Sequence, residues 1–167
     1  MTIRPIPPDR GALRAGPRQP VRVAAVALLA RRDFAAGELA RKLEAKGYAC
    51  EEVAALVGEL TESRTLDDAR YAQNYVSYHA GRGQGPVRIA ADLRALNVPE
   101  QLIEGALDQG HDWRVLASQQ RRRRFGAQAP SSWPEKARQA RFLQYRGFSS
   151  DHIRSALGAD FDADPPS

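Results

Sequence analysis

The chain has 167 residues, of which 43% are hydrophobic, enough to form one domain or a short series of small units. No run approaches the roughly 20 apolar residues of a membrane span, and the proline- and arginine-rich start lacks the apolar stretch of a signal peptide. We therefore expect a soluble, cytoplasmic protein. The single cysteine, Cys50, excludes an internal disulfide framework and has no neighbouring cation to activate it, so we expect a small, half-buried residue there.

The net charge of +5 is distributed unevenly along the chain. Between positions 51 and 69, six acidic residues face a single basic residue, whereas between 113 and 146, nine basic residues face a single acidic residue. Such asymmetry favours a partner that is polyanionic, or a mixed assembly that contains one.

The N-terminal residues differ in composition from the rest of the chain. Residues 1–20 hold five of the eleven prolines and little apolar content, which predicts a disordered basic arm. From residue 21 onward the apolar positions follow a helical period and no stretch has the alternation of a strand, so the fold is predicted to be all-α. The first helix is expected over 21–32. Its predicted apolar face consists of Val23, Val26, Ala27, Leu29 and Ala30.

An internal repeat with a period of 50 residues runs through the helical part of the chain. Positions 47, 97 and 147 hold glycine or asparagine, which tolerate the left-handed conformation at a helix C-terminus. The apolar residue that follows each can fold back as in a Schellman cap. Ser149 and Pro99 suit the start of the next helix. The five columns are Leu43, Leu93 and Leu143; Gly47, Asn97 and Gly147; Tyr48, Val98 and Phe148; Val53, Ile103 and Ile153; and Val57, Leu107 and Leu157.

A further helix precedes each of these pairs, at 21–32, 67–80 and 112–125. The sequence therefore predicts three tandem three-helix repeats of about 50 residues, at 21–64, 65–110 and 111–160, followed by a disordered tail at 161–167. Repeats of this kind stack into an elongated, curved array, so function is expected on surfaces and not in a cleft. The polar end of the array indicates a monomer.

Two adjacent carboxylates, Asp67 and Asp68, lead into the first helix of the second repeat. Taken locally, Thr65 would cap this helix with Asp68 at capping-box spacing, and both acids would complement the helix dipole. Tyr71 and Tyr75, four residues apart, would share one face. Since no further carboxylate or histidine lies at ligand spacing, the sequence predicts no metal site and no cofactor.

The segment that follows, GRGQGPVRIAADLRALN, begins with a glycine-rich loop. Gly85 as N-cap and Pro86 as the first helical residue predict a strong helix start. The loop lacks the GxxxxGK[ST] pattern and follows a helix, so a nucleotide fold is not supported. Its arginines would extend from the loop and the exposed side of the helix as a docking surface. They are Arg82, Arg88 and Arg94.

The third repeat carries most of the positive charge. Four consecutive arginines in RRRRFG cannot share one helical face, so at least one or two must point outward. Little aromatic interleaving is present beyond Phe125 and Trp133, which predicts contact with phosphates without sequence reading, and Trp113 and Trp133 are expected to pack and not to stack on bases. The candidates for binding DNA or another polyanion are Arg121, Arg122, Arg123, Arg124, Lys136, Arg138, Arg141 and Arg146.

Taken together, these motifs resemble the RecX family of regulators of the bacterial RecA recombinase. The resemblance covers about 21–160 and rests on three ordered pieces. They are Leu66, Asp67, Asp68, Arg70 and Tyr71; Arg82, Gly85, Arg88, Ile89 and Leu93 with the Asn97–Val98 cap; and Arg141, Phe142, Leu143, Arg146, Gly147 and Phe148 with Ile153 and Leu157. Asn97 stands where the family usually has glycine, and Tyr71 where phenylalanine is common.

The resemblance implies a non-enzymatic modulator that binds in the groove of the RecA filament on single-stranded DNA. Family members usually inhibit RecA's ATP hydrolysis, strand exchange and co-protease activity, and so affect DNA repair by homologous recombination and the SOS response. The resemblance also implies a surface that faces the recombinase. Its candidates are Asp67, Asp68, Arg70, Tyr71, Arg82, Arg88 and Arg94.

Two other classes of protein compete with this interpretation. The paired helices could form a helix-turn-helix regulator, although the second helix of the first pair carries Glu51, Glu52 and Glu59, which DNA phosphates would repel. An enzyme is disfavoured because His79, His111 and His152 have no nearby serine or cysteine that would complete a triad. A general nucleic-acid-binding repeat protein remains the alternative.

Overall fold

The computed structural model describes residues 19–158, which fold into nine α-helices and no strand. Most of the predicted arm and the whole of the predicted tail at 161–167 lie outside this range. The all-α prediction is confirmed. The helices are α1 Val21–Leu29, α2 Ala36–Ala45, α3 Cys50–Glu62, α4 Asp68–Gly81, α5 Pro86–Ala95, α6 Glu100–Asp108, α7 Trp113–Phe125, α8 Trp133–Tyr145 and α9 Ser150–Leu157.

Three consecutive helices form each unit: α1–α3, α4–α6 and α7–α9. All extensive helix contacts of the described chain lie within a unit, and no helix of the first unit packs extensively on a helix of the third. Each unit also has its own buried cluster. The molecule is therefore a tandem array, in which adjacent units meet mainly through their loops and helix ends.

The middle helix of each unit ends in the same way. Leu43, Leu93 and Leu143 are fully buried, and each accepts a hydrogen bond from the main-chain N–H five residues later, at 3.1 to 3.4 Å. The residue immediately before each N–H donor is in the left-handed region, with φ of 95° at Gly47, 61° at Asn97 and 89° at Gly147. This is the predicted Schellman cap in all three units. Burial of each leucine contributes about 1.5–3 kcal/mol.

Two details of the first unit differ from the sequence prediction. Helix α1 ends at Leu29, and its buried face consists of Val21, Ala24 and Ala25. Val23 and Val26 are 50% and 56% exposed, because the chain enters the helix with Val21 inward and this fixes the buried stripe at 21, 24 and 25.

Cys50 is also exposed, and not half-buried as the sequence had indicated. It is the first residue of α3, and the face of this helix that packs inward begins at Val53.

Candidate nucleic-acid and protein interface

The two adjacent aspartates lie where the second unit meets the first. Asp67 is the N-cap of α4, where its Oδ1 accepts a hydrogen bond from the Arg70 N–H at 2.9 Å. Asp68 Oδ1 instead accepts from the main-chain N–H of Ala36, the first residue of α2, at 2.8 Å. The predicted cap at Thr65 is therefore wrong, because Asp67 is one residue from the helix start and takes that role. The Thr65 hydroxyl lies 3.0 Å from the Ser63 hydroxyl.

Tyr71 packs at the same junction. On the unit 1 side of this junction, the exposed Arg32 makes a bidentate ion pair with the buried Glu38, with N–O distances of 2.5 and 3.0 Å. Burial raises the pKa of the Tyr71 hydroxyl, and the negative charge of Glu38 raises it further. Leu66 lies in the buried cluster of the first unit, and Ala35 in that of the second. The motif that resembles RecX therefore has a structural role as the joint between units 1 and 2.

The C-terminal end of α5 completes this joint. Arg41 Nη2 donates to the Ala95 carbonyl oxygen at 2.6 Å. A β-carbon on Gly37 would overlap the Asn97 side chain, so the two helix ends meet closely only because position 37 is glycine. The N-terminus of α2 thus abuts the C-terminus of α5.

The second joint repeats this arrangement one unit further along. The main-chain N–H of Gly85 donates to the Arg146 carbonyl at 2.8 Å, and that of Val87 donates to the Gly147 carbonyl at 3.0 Å. A β-carbon on Gly85 would overlap the main chain of Gly147, and one on Gly147 would overlap Arg88. Arg146 also donates from Nη1 to the Arg82 carbonyl at 3.2 Å. The glycine-rich loop is therefore a joint between units and not a phosphate cradle.

A row of arginines and aromatic rings crosses this second joint. In the third unit, the Arg124 and Arg138 guanidinium carbons lie 5.8 and 5.2 Å from the centre of the Phe125 ring. Phe125 meets Phe142 edge to face at 5.3 Å, and Arg146 lies 5.2 Å over Phe142.

The row continues into the second unit. There, Arg82 lies 5.5 Å over the Tyr78 ring and donates to its hydroxyl at 3.0 Å. We call the whole set the arginine–aromatic row: Arg124, Phe125, Arg138, Phe142, Arg146, Arg82 and Tyr78.

The arginine–aromatic row combines residues that sequence reasoning had assigned to two separate surfaces. Arg82 was assigned to the protein-facing group and Arg146 to the polyanion-binding group, yet their contact makes one continuous surface. The expectation of little aromatic interleaving is wrong, because Tyr78 and Phe142 also lie in this row. Their four-residue spacing from Arg82 and Arg146 was the signal in the sequence.

Arg121 is corrected as a candidate for polyanion binding. Only 4% of it is exposed, and its guanidinium donates to the Gln128 carbonyl at 2.9 Å, with Gln139 Oε1 at 3.5 Å. The first arginine of RRRRFG thus faces inward and holds the α7–α8 connection. Arg122 and Arg123, by contrast, are exposed.

The remaining candidates differ in their exposure and in their partners. Arg94 is exposed and pairs with Glu100, whereas Arg70 and Arg88 are exposed and make no side-chain hydrogen bond within the described chain. Arg141 is exposed and Lys136 is half-buried.

The two tryptophans differ in their surroundings. Trp113 packs between the second and third clusters and donates from Nε1 to the Leu107 carbonyl at 3.0 Å, which confirms its predicted packing role. Trp133 is 39% exposed beside a groove.

Other kinds of site find little support in the described residues. No group of three or more histidine, cysteine, aspartate or glutamate side chains converges there as a metal site would require. Between residues 19 and 158, no helix combines the length and apolar character needed to cross a bilayer.

The fold and the row together define a tandem array of three-helix units with a basic, aromatic-lined surface. Comparison with known proteins agrees with this class. Residues 67–107 match the family model "RecX, second three-helix domain", and residues 115–157 match "RecX, third three-helix domain".

Curated relatives extend this match over most of the chain. The chain is 44% identical to the "Regulatory protein RecX" of Halorhodospira halophila over 83% of its length and 87% of that protein, and 39% identical to the RecX of Vibrio vulnificus over 80% and 88%. The chain belongs to the RecX family of regulatory proteins.

Solved structures confirm the fold. The crystal structure of RecX from Lactobacillus salivarius superposes with a TM-score of 0.71 at 20% identity, covering 82% of this chain and 92% of that one. A second crystal structure of regulatory protein RecX gives a TM-score of 0.69 at 22% identity, covering 81% and 69%.

Proposed function

We propose that this chain binds the RecA filament on single-stranded DNA and inhibits its recombinase, ATPase and co-protease activities. By this inhibition, it modulates DNA repair and the SOS response in the cytoplasm, as a monomer and without catalysis of its own. The observation that carries the proposal is the match to regulatory RecX proteins over more than four fifths of the chain. The arginine–aromatic row and the tandem array provide a surface for contact with such a filament.

The arginine–aromatic row fits a single strand of nucleic acid. Unpaired bases stack on aromatic rings and on guanidinium planes, while the same arginines neutralise phosphates. The row joins two units, so a bound strand would follow the array across the joint and not stop at one helix.

The recombinase-facing surface is assigned to the exposed arginines around both joints. Arg70 and Arg88 have no side-chain partner within the described residues and are free to pair with acidic groups of a partner protein. Asp68 and Tyr71 act on this surface indirectly, because Asp68 bonds to Ala36 of unit 1 and Tyr71 lies beside Glu38 of unit 1, whereas Asp67 caps the helix that carries Arg70. Arg94 contributes less, since Glu100 already neutralises it.

The test measures the ATPase rate of preformed RecA filaments on single-stranded DNA while this protein is added below stoichiometric amounts. The wild-type chain should lower the rate, and the double variant Arg70→Glu with Arg88→Glu should require a higher concentration for the same effect. Arg31→Glu is the control for a reversed charge in unit 1, an exposed arginine that lies beside Lys46 and Tyr48. An unchanged ATPase rate with folded wild-type protein would contradict the proposal.

A second function is favoured by the arginine–aromatic row taken alone: general binding of single-stranded nucleic acid without a recombinase. In that case, the chain would bind oligonucleotides and leave the filament ATPase unchanged. A helix-turn-helix regulator is less favoured, because Glu51 and Glu52 are exposed on α3, the second helix of the first pair. Sequence-specific binding to duplex DNA would distinguish that class from the others.

A further inference from the structure

A groove of about 650 Å³ lies between α8 and α9, on a different flank of α8 from the Phe125 and Phe142 rings. Trp133, Ala140 and Ile153 contribute apolar wall, and Val87 of the second unit also lines the groove. Val87 is 55% exposed and Trp133 39%, although both are large apolar side chains. The groove is therefore an apolar surface that the described chain leaves uncovered.

The charged residues that line the groove within residues 19–158 are all positive. They are Arg141 and Arg154, and no acidic side chain of that range lines it. Arg154 Nη1 donates to Asp151 Oδ1 at 3.1 Å, but both partners are largely exposed, so this pair is weak and can exchange its partner. A ligand that fits must combine a bulky apolar group with negative charge close beside it.

The chain itself contains such a ligand immediately after α9. Residues 159–167, ADFDADPPS, place Phe161 between Asp160 and Asp162, add Asp164, and contain no basic residue. These residues lie outside the described range, and residues 161–167 among them are the predicted disordered tail.

The attachment point of this segment is close to the groove. Ile153 precedes Gly158 by five residues, which is about 7.5 Å along a helix. The three residues from 159 to 161 span about 10 Å when extended, so Phe161 can reach the level of Ile153. Gly158 has a φ of 103°, a conformation in which the chain can leave the helix sharply.

We propose that the groove between α8 and α9 binds the chain's own segment 159–167. Phe161 enters the apolar part beside Trp133 and Ile153, and the aspartates pair with Arg141 and Arg154. Because the linker is short, its effective concentration is in the millimolar range, and a weak intrinsic affinity suffices to keep it bound.

The first test compares the full chain with one truncated after Gly158, using acrylamide quenching of tryptophan fluorescence. Truncation should increase quenching, because Trp133 loses its cover, and a Trp133→Phe background should abolish the difference. Circular dichroism must show equal helix content in both chains. An equal quenching constant with and without the segment would overturn the proposal.

The second test adds a synthetic peptide of residues 158–167 to the truncated chain. The peptide should restore protection of Trp133, and a Phe161→Ala peptide should bind about tenfold more weakly, because it loses most of one buried aromatic ring. A chain with Arg141→Glu and Arg154→Glu should reject this peptide and instead accept one in which all three aspartates are lysine. Equal binding of the Phe161→Ala peptide would contradict the assignment.

Two further outcomes identify a different occupant. If an oligothymidylate protects Trp133 of the truncated chain and the peptide does not, the groove belongs to nucleic acid. If only the recombinase filament protects it, the groove belongs to that protein, and the segment has no role there. The proposal does not depend on the proposed function, because quenching and peptide binding are measured without RecA or DNA.

Discussion

The N–H of Gly85 donates to the carbonyl oxygen of Arg146 at 2.8 Å, so that α5 of the second unit begins where α8 of the third unit ends. This contact relates two residues 61 positions apart and, with the Val87–Gly147 hydrogen bond, helps to fix the angle between the second and third units. It also places Arg82 against Arg146 and thereby makes the arginine–aromatic row continuous. The five predictions below concern the two joints, the arginine–aromatic row and the third unit.

Gly85→Ala should open the second joint. The added β-carbon overlaps the main chain of Gly147, which cannot move without disturbing the cap of α8, and we expect a cost of about 1–3 kcal/mol. Small-angle X-ray scattering should show a change in the radius of gyration at unchanged helix content. Gly105→Ala is the control, since nothing lies within 4 Å of its added carbon, and it should stabilise the chain slightly. Equal scattering for wild type and Gly85→Ala would contradict the role of this joint.

Asp67→Ala and Asp68→Ala should have different consequences although the two residues are adjacent. Loss of Asp67 removes the N-cap of α4 and should cost about 1 kcal/mol in the free energy of unfolding. Loss of Asp68 leaves the Ala36 N–H unpaired and should also loosen the first joint, at a cost of about 1–2 kcal/mol. Denaturant unfolding and scattering measure the two effects. Asp68→Asn keeps an acceptor oxygen and should restore the joint in part.

Arg121→Ala should destabilise the third unit, whereas Arg122→Ala should not. The buried Arg121 holds the carbonyl of Gln128, and its removal loses that bond and leaves a cavity, a cost of about 2 kcal/mol or more. The exposed Arg122 should change the unfolding free energy by less than about 0.5 kcal/mol. For oligonucleotide affinity the order should be the opposite: if Arg122 contacts phosphate, Arg122→Ala should lower the affinity more than Arg121→Ala does. Similar unfolding curves for both variants would contradict the inward role of Arg121.

Arg124→Gln and Arg138→Gln should each weaken the salt dependence of binding to single-stranded DNA. Each exposed arginine that neutralises a phosphate contributes about 0.7 to the slope of log affinity against log salt concentration. Phe142→Leu should instead reduce affinity with little change in slope, because stacking does not depend on counterion release. Fluorescence anisotropy with a labelled oligothymidylate at several salt concentrations separates these effects. A slope unaffected by both arginine substitutions would exclude the row from direct strand contact.

His152 should make the third unit less stable in mild acid. Its Nδ1 accepts a hydrogen bond from the Ser149 N–H at 3.3 Å, which requires the neutral ring. Burial lowers the pKa of His152, Arg114 lowers it further, and Asp151 and Asp112 oppose this in part. Because the folded state holds the proton less tightly than the unfolded chain, the stabilisation is complete above about pH 6.5 and decreases as the pH falls below it.

Thermal unfolding at pH 7.5 and 5.5 measures this loss. His152→Gln keeps a hydrogen-bond acceptor at the third helical position but does not titrate, so its melting temperature should depend less on pH than that of the wild type. If both chains show the same pH dependence, the effect arises elsewhere.

Much of the fold was predictable from the sequence because its determinants are local. The Schellman caps at Gly47, Asn97 and Gly147 depend on residues within one turn, and a period of 50 residues identifies the units. The side-chain burial of α1 was not predictable, since Val23 and Ala24 have similar apolarity and only the packing of α2 and α3 decides which faces inward.

The site was predictable only in part, because it too depends on contacts between segments that are distant in the sequence. Charge density marked the third unit as basic, but whether Arg121 or Arg122 faces solvent depends on the path of the α7–α8 connection. The arginine–aromatic row joins Arg82 to Arg146 through a contact between units, which no pattern within either segment contains.

The middle helices of the three units begin in two different ways. The N-cap residues of α2 and α5, Ala35 and Gly85, have no side chain that caps the helix, and the following unit supplies the missing acceptors. Helix α8 instead has its own N-cap, because the hydroxyl of Ser132 accepts from the Glu135 N–H. A unit whose middle helix has no side-chain cap depends on the next unit for these acceptors, whereas the start of α8 does not. Transferring the Ser132 cap to position 85 would therefore be a rational first step towards a stable two-unit protein.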